Sequence, residues 1–375
     1  MSKWIYADHA ATTAISPVAY VAMQPWLQEE YGNPSTLYSI AREPRKAIDH
    51  SREIIATAIG ADPEEIFFTS GGTEANNWAI KGTVFKDIQK NGVITSCIEH
   101  HAVLNPCTYL KRLGFSVDYL SVDTEGVVNP LQLKETISDS TSLVSVMYAN
   151  NEIGSLQPIV ELSAIAHDKG CLFHTDAVQA VGHIPINVRK MGIDMLSASA
   201  HKFNGPKGVG FLFIRKGVIL EPLLHGGAQE KNMRAGTENV AGIVGMAAAL
   251  NEHINYLEEE TAYLNELCSI LLGALRETNI DFRMNGAENR IPGSLSLSFR
   301  GADGEMLVHR LDLMGTFVST GSACDSSNTI LSHVLQAINL PDEYAYGTIR
   351  ISLGMDNTKD QMIQIAKQLE RIIKV

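Results

Sequence analysis

From residue 66 onward short apolar strands alternate with helix-like stretches, and this alternation limits the fold more than any other feature of the chain. Runs rich in branched and aromatic residues occur at 66–69, 93–96, 142–148, 172–175, 195–198 and 209–214, and stretches such as 159–169 lie between most of them. The rhythm predicts an α/β fold with a large domain whose mostly parallel, mixed sheet is flanked by helices on both faces, because parallel strands need crossovers that helices supply. Upstream, Ser16-Pro17 has the form of a helix N-cap followed by proline in the first turn, opening a helix to about Glu30. Residues 42–59 repeat apolar positions at helical spacing and stop at Gly60. After a long predicted helix over 251–278 the order becomes strand (294–300), helix (304–314), strand (346–353) and closing helix (358–373), a smaller α+β C-terminal unit. The predicted division is a large domain of 16–259 and a small domain of 1–15 with 260–375, since 375 residues exceed what one core usually organises.

Charge narrows the function classes. A formal net charge of −12 without a Lys/Arg-rich run argues against general affinity for nucleic acid or anionic membrane. The longest nearly apolar run, 240–250, contains Gly242 and Gly245 and cannot span a bilayer. The first residues reach Asp8 too soon for a secretory leader. The five cysteines, Cys97, Cys107, Cys171, Cys268 and Cys324, form no C-x-x-C pair, and their odd number does not suggest a disulfide framework. The expectation is a soluble, cytoplasmic protein with reduced thiols and no metal site.

The chemistry centres on Ser199-Ala-His-Lys202, directly after a predicted strand. A lysine at a buried strand end is costly as a charged group, and catalytic lysines in such places form Schiff bases with carbonyls; the commoner fate is a side chain that snorkels into solvent. Asp176 ends another predicted strand, 26 residues earlier. It could equally be a helix N-cap. Ligands of parallel sheets collect at the carboxyl ends of strands, and an Asp and a Lys delivered there suit pyridoxal phosphate (PLP): the amine carries the aldehyde and the acid keeps the pyridine nitrogen protonated. Thr69-Ser-Gly-Gly72-Thr73-Glu sets two glycines at a strand-to-helix junction, where a new helix can face a phosphate. His100 or His101 could lie on the ring and shuttle protons. Cys324 sits in the small, polar run 319–327, expected to be an exposed mobile loop, and an exposed thiol is a liability unless used. Arg350, between Ile349 and Ile351 on a predicted strand, suits bidentate capture of a carboxylate or else a surface salt bridge.

Together these motifs resemble the NifS/IscS-like cysteine desulfurases, PLP enzymes of fold type I in the class V aminotransferase family. The likeness runs from Tyr6-Ala-Asp-His-Ala-Ala-Thr-Thr13 through Tyr31-Gly-Asn-Pro-Ser35, Asn150-Asn-Glu-Ile-Gly154, Asp176-Ala-Val-Gln179 and Arg234-Ala-Gly-Thr-Glu238 to Ser322-Ala-Cys324 and Ile349-Arg-Ile-Ser-Leu-Gly354, nearly the whole chain. The resemblance implies conversion of L-cysteine to L-alanine with sulfur held as a persulfide on Cys324. It implies Lys202 as the Schiff-base lysine, Asp176 on the pyridine nitrogen, Gln179 on the ring hydroxyl and His100 stacked on the ring. Gly72, Thr73, Ser199 and His201 would bind phosphate, and Thr237 the phosphate of a second subunit, so a homodimer is implied. Asn151 and Arg350, with help from Asn33, would hold the substrate carboxylate. The sulfur acceptor would be an iron–sulfur scaffold or a tRNA thiolation enzyme. Tyr38 and Ala41 stand where the family often has histidine and glycine, and Asp325 where it often has threonine. Selenocysteine lyase or aminotransferase activity, or a persulfide carrier without catalysis, are the rival readings.

Overall fold

The computed structural model describes residues 4–87, 89–321 and 331–374. Its strands are β1 (Ile5–Tyr6), β2 (Ile66–Thr69), β3 (Gly92–Ser96), β4 (Val117–Leu120), β5 (Thr141–Ser145), β6 (Leu172–Asp176), β7 (Met195–Ser199), β8 (Gly210–Ile214), β9 (Phe282–Asn285), β10 (Ser294–Phe299), β11 (Thr316–Phe317) and β12 (Thr348–Ser352). Seven of them form one sheet in the order β2-β8-β7-β6-β5-β3-β4. The pairings β3–β4, β3–β5, β5–β6 and β6–β7 are parallel, and only β8 runs against its neighbours. The expected mixed, mainly parallel sheet is therefore present.

Side-chain alternation explains why these strands read as continuous apolar runs. Phe68, Ile94, Val144, Leu196 and Phe213 enter one core with the helices Arg42–Ile59, Ile159–Asp168 and Val240–Asn255. Their chain neighbours Phe67, Val93, Leu143, Met195 and Leu212 enter the core on the other face, with Trp78 and Leu110. Both faces of the central strands are buried, so apart from the edge strand β4 they show no solvent-facing polar side to reveal a period of two.

Helix boundaries follow local chemistry. Ser16 Oγ accepts from Ala19 N at 3.2 Å and caps the helix Pro17–Met23. That helix does not run to Glu30 as expected: Pro25, which has no N–H to donate, opens a separate short turn, Pro25–Gln28. Arg42–Ile59 ends as expected at Gly60, whose φ of 69° lies in the left-handed region. The single helix expected over 251–278 is two, Val240–Asn255 and Leu257–Glu277, meeting at Tyr256.

Leu264, Leu267 and Leu271 of the second helix pack on a separate core with Leu295, Leu297, Ile349, Ile351 and Ile365. There β12, β10 and β9 form an antiparallel sheet, and β1 pairs parallel with β11. The helix Lys359–Ile373 closes this unit, with Thr358 and Gln361 forming a reciprocal capping box. Strands β1, β4, β9 and β11 were not expected from the sequence. They are two to four residues long, or carry polar residues that mask an apolar run.

Candidate active site

Strands β6 and β7 lie side by side, with Asp176 opposite Ser197 in register. Asp176 ends β6, Ser199 ends β7, and the turn Ala200–Lys202 follows immediately. Both strands point their carboxyl ends at one cavity of about 540 Å³. Lys202, Asp176, His100, Gln179 and Arg350 line it. So do Gly72, Thr73, Asn151, Ser199 and His201.

Lys202 does not snorkel to solvent. Its Nζ donates to the carbonyls of Ala10 (2.6 Å) and Ala11 (2.8 Å), on the segment that follows β1. Gln179 Nε2 donates to the same Ala10 carbonyl at 2.9 Å. Asp176 is 5% exposed. Its Oδ1 accepts from Val178 N at 3.0 Å and its Oδ2 from Asn76 Nδ2 at 2.6 Å. Its carboxylate is thus fixed in rotation by two donors, one of them the turn bond foreseen for a strand-end aspartate.

His100 caps the helix His101–Arg112: its Nδ1 accepts from Ala102 N at 3.0 Å. That bond assigns the proton of the neutral ring to Nε2. Burial lowers the His100 pKa, with Asp176 opposing and Lys202 reinforcing, so the neutral ring is favoured. His201 is pushed down to about 4, first by burial and then by Lys202 and Lys207, and its Nδ1 lies 3.1 Å from Thr12 Oγ1.

The glycines before the helix Gly72–Lys86 are needed for different reasons. Gly71 has φ 145°, a conformation L-residues avoid, and a Cβ there would lie 3.3 Å from Ser199 Oγ. A Cβ on Gly72 would approach Val178 Cγ2 to 2.5 Å, so glycine lets the helix start abut the segment after β6. The backbone N–H groups of this helix start, the Ser199 hydroxyl and neutral His201 form a donor set suited to a phosphate. With an aspartate and a primary amine on the same wall, the residues present fit PLP.

Arg350 is 3% exposed, so it is not on the solvent face of its strand. Its Nη2 pairs with Asp8 Oδ1 at 2.7 Å and its Nη1 donates to Asn151 O at 2.9 Å. Asn33 and Thr237 do not line the cavity: Asn33 Oδ1 accepts from Ser35 N at 2.9 Å, and Thr237 is exposed. Cys324 and Asp325 lie outside the described residues. Burial raises the thiol pKa of the other four cysteines, to about 12 for Cys107 and Cys268, which disfavours the nucleophilic thiolate in each.

Three cavity groups escaped the sequence reading. Asn76 lies four residues beyond Gly72, one helical turn, and that spacing was a usable signal. Glu152 is 3% exposed and accepts from Ser332 Oγ at 2.5 Å, while His333 Nε2 donates to Glu99 O at 3.0 Å. Among the described residues, no helix is long and apolar enough to cross a membrane.

Residues 5–365 match the aminotransferase class-V family. A cysteine desulfurase IscS from Dictyoglomus turgidum is 52% identical over 376 residues, spanning all of this chain and 95% of the relative. A cysteine desulfurase IscS from Clostridium botulinum is 46% identical over 378 residues, with the same coverage. Among solved structures, a NifS-like protein superposes with a TM-score of 0.93 at 38% identity, covering 99% of both chains. A structure described as SspA in complex with cysteine gives 0.84 at 37% identity, over 93% of this chain and 99% of that one.

Proposed function

Because this chain belongs to the class-V aminotransferase family, and within it is a PLP-dependent cysteine desulfurase, we propose that Lys202, Asp176 and His100 are its catalytic and cofactor-holding core and that Cys324 receives the sulfur. The observation that carries this assignment is the pairing of β6 with β7, which delivers Asp176 and Lys202 to one cavity. When bound, PLP supplies an electron sink that labilises the substrate α-proton and weakens the carbon–sulfur bond.

The chain does the rest. Asp176, held by Asn76 and Val178, would pair with the pyridine nitrogen of the bound cofactor. Gln179 would serve the ring hydroxyl, and Gly72, Thr73, Ser199 and His201 would hold the phosphate. Lys202 would hold the cofactor's aldehyde carbon through its amine and, when free, would be the base that moves the substrate α-proton. His100 would lie on the ring and exchange a proton through Nε2. Arg350 and Asn151, which line the cavity, would hold the substrate carboxylate. The Cys324 thiolate attacks the substrate sulfur: a sulfur–sulfur bond forms and the carbon–sulfur bond breaks. Its electron pair stays with the three-carbon fragment, which gains protons and leaves as alanine.

Residues 16–259 form the cofactor-binding domain in this reading, and 1–15 with 260–375 the domain carrying the cysteine. Thr237 would serve the phosphate site of a second subunit in a homodimer. The exposed apolar side chains of Tyr31, Leu37 and Ile40 support a partner surface nearby. The persulfide would pass, in the cytoplasm, to an iron–sulfur scaffold or a tRNA thiolation enzyme.

Two variants test the assignment with L-cysteine and a reductant. Lys202→Ala should lower alanine formation by at least about 10³-fold and remove the visible absorbance of the lysine-bound cofactor. Cys324→Ser should keep that absorbance and lose sulfide release. Wild-type sulfide release by Cys324→Ser would refute the persulfide role. Alanine formation from selenocysteine but not from cysteine would favour a lyase for selenocysteine.

A further inference from the structure

The segment that follows β1 touches the site at more points than any motif on it suggested. Asp8 holds Arg350, the Ala10 and Ala11 carbonyls hold Lys202 Nζ, and Thr12 Oγ1 meets His201 Nδ1. The segment is itself anchored beside Arg350: His9 N donates to Ser352 O at 3.1 Å and Ala10 N to Ser352 Oγ at 2.9 Å. Arg350 is thus tied by its backbone to Ser319, through bonds of 2.6 and 3.2 Å, and by its side chain to Asp8 and Asn151 O.

The guanidinium has an unequal set of partners. Both terminal nitrogens are engaged at the far end of the fork, whereas the buried Nε has no hydrogen-bond partner among the described residues. A guanidinium also offers a side edge, made by Nε–H and the second hydrogen of Nη2, that matches a carboxylate. A buried donor left without an acceptor is costly, and a ligand carboxylate on that edge removes the cost. Among the described residues Glu152 is another acid near Arg350, but its Oε2 accepts from Ser332 and burial raises its pKa, which favours the neutral acid. Among the described residues, Asp8 is therefore the acid paired with the fork and placed to set its orientation.

We propose that Asp8 is a positioning residue for substrate binding, turning Arg350 so that its Nε–Nη2 edge receives the α-carboxylate of the incoming amino acid. This rests on the reading of Arg350 as the carboxylate holder. Asp8 touches Arg350 and acts through it.

The test uses full-length holoenzyme and compares Asp8→Ala, Asp8→Asn and Arg350→Gln. The readouts are KM and kcat for L-cysteine and the Kd of L-alanine, followed by the cofactor's absorbance. Asp8→Ala should raise both KM and Kd at least about tenfold with kcat within about twofold, the signature of lost ground-state binding. Asp8→Asn keeps an oxygen acceptor for Nη2 and should recover most of the affinity, within about threefold of wild type. Arg350→Gln should exceed Asp8→Ala. An unchanged KM and Kd in Asp8→Ala, with both raised in Arg350→Gln, overturns the role of Asp8 alone. Unchanged values in Arg350→Gln overturn the carboxylate reading beneath it. If Asp8→Ala does not fold, Asp8→Glu decides: one added methylene should shift the fork and weaken alanine binding, and unchanged binding overturns the proposal.

Discussion

The two sheets meet the cavity in opposite ways. The seven-stranded sheet buries apolar side chains on both faces and offers its chemistry only at the carboxyl ends of its strands, where Asp176, Ser199 and the turn to Lys202 lie. The three-stranded sheet buries an apolar face, with Leu295, Leu297, Phe299, Ile349 and Ile351, and an equally buried polar face. On that second face Asn285 Nδ2 donates to Ser296 Oγ (3.1 Å) and Ser298 Oγ (2.7 Å), and Ser298 Oγ lies 2.6 Å from Thr348 Oγ1. Arg350 belongs to this polar face, opposite Ser296 in register. One sheet builds a site from its ends and the other from its surface. Both sheets bury polar side chains that satisfy one another, as Ser145, His174 and Ser197 do across the parallel strands, but the large sheet presents its site residues at strand ends and the small sheet presents Arg350 on a face.

Three measurements would break or sharpen this contrast. Phe299→Ala removes a fully buried ring from the apolar face and should cost about 3–5 kcal/mol in denaturant unfolding. A loss far below that would mean the small unit does not depend on its own core. Asn285→Ala leaves two buried serine hydroxyls short of a donor and should cost about 1–3 kcal/mol. A neutral result would show that the polar face does not need its internal bonds.

The smallest effect concerns titration. The polar-face partners Asn285, Ser296, Ser298 and Thr348 do not titrate, so stability should respond to pH through the ends of the large sheet. There Glu99 is fully buried, accepting from Ser96 Oγ (2.6 Å) and Met147 N (2.8 Å), and burial pushes its pKa from 4.5 up to about 8. The folded protein therefore keeps a proton that the unfolded chain releases. The stabilisation is full below about pH 4.5 and is lost as pH rises through about 8. Glu99→Gln cannot lose that proton, so its Tm should fall less than wild type between pH 5 and pH 8, by on the order of 2–4 °C. Parallel melting curves for the two proteins would place the pH response elsewhere.

Much of the large domain was legible because its signals are local. Ile66–Thr69 and Arg42–Ile59 carry their boundaries in their own residues, a branched run in one and a terminal glycine in the other. The early end of Pro17–Met23 was written in Pro25, whose missing donor stops a helix whatever surrounds it. Strands β1 and β11 were not legible: two residues each, they are strands only because each pairs with a segment more than 300 positions away in the chain.

The site divides along the same line. Lysine, aspartate and glycine types at strand ends determined what chemistry the chain could perform, because a residue's functional group and its place after an apolar run are both properties of the sequence. Which group touches which was decided only by the fold. Asn76 on Asp176, Asp8 on Arg350 and two carbonyls on Lys202 join segments from 100 to 342 positions apart. Hydrogen bonds act over about 3 Å, and only packing brings such distant segments within that reach.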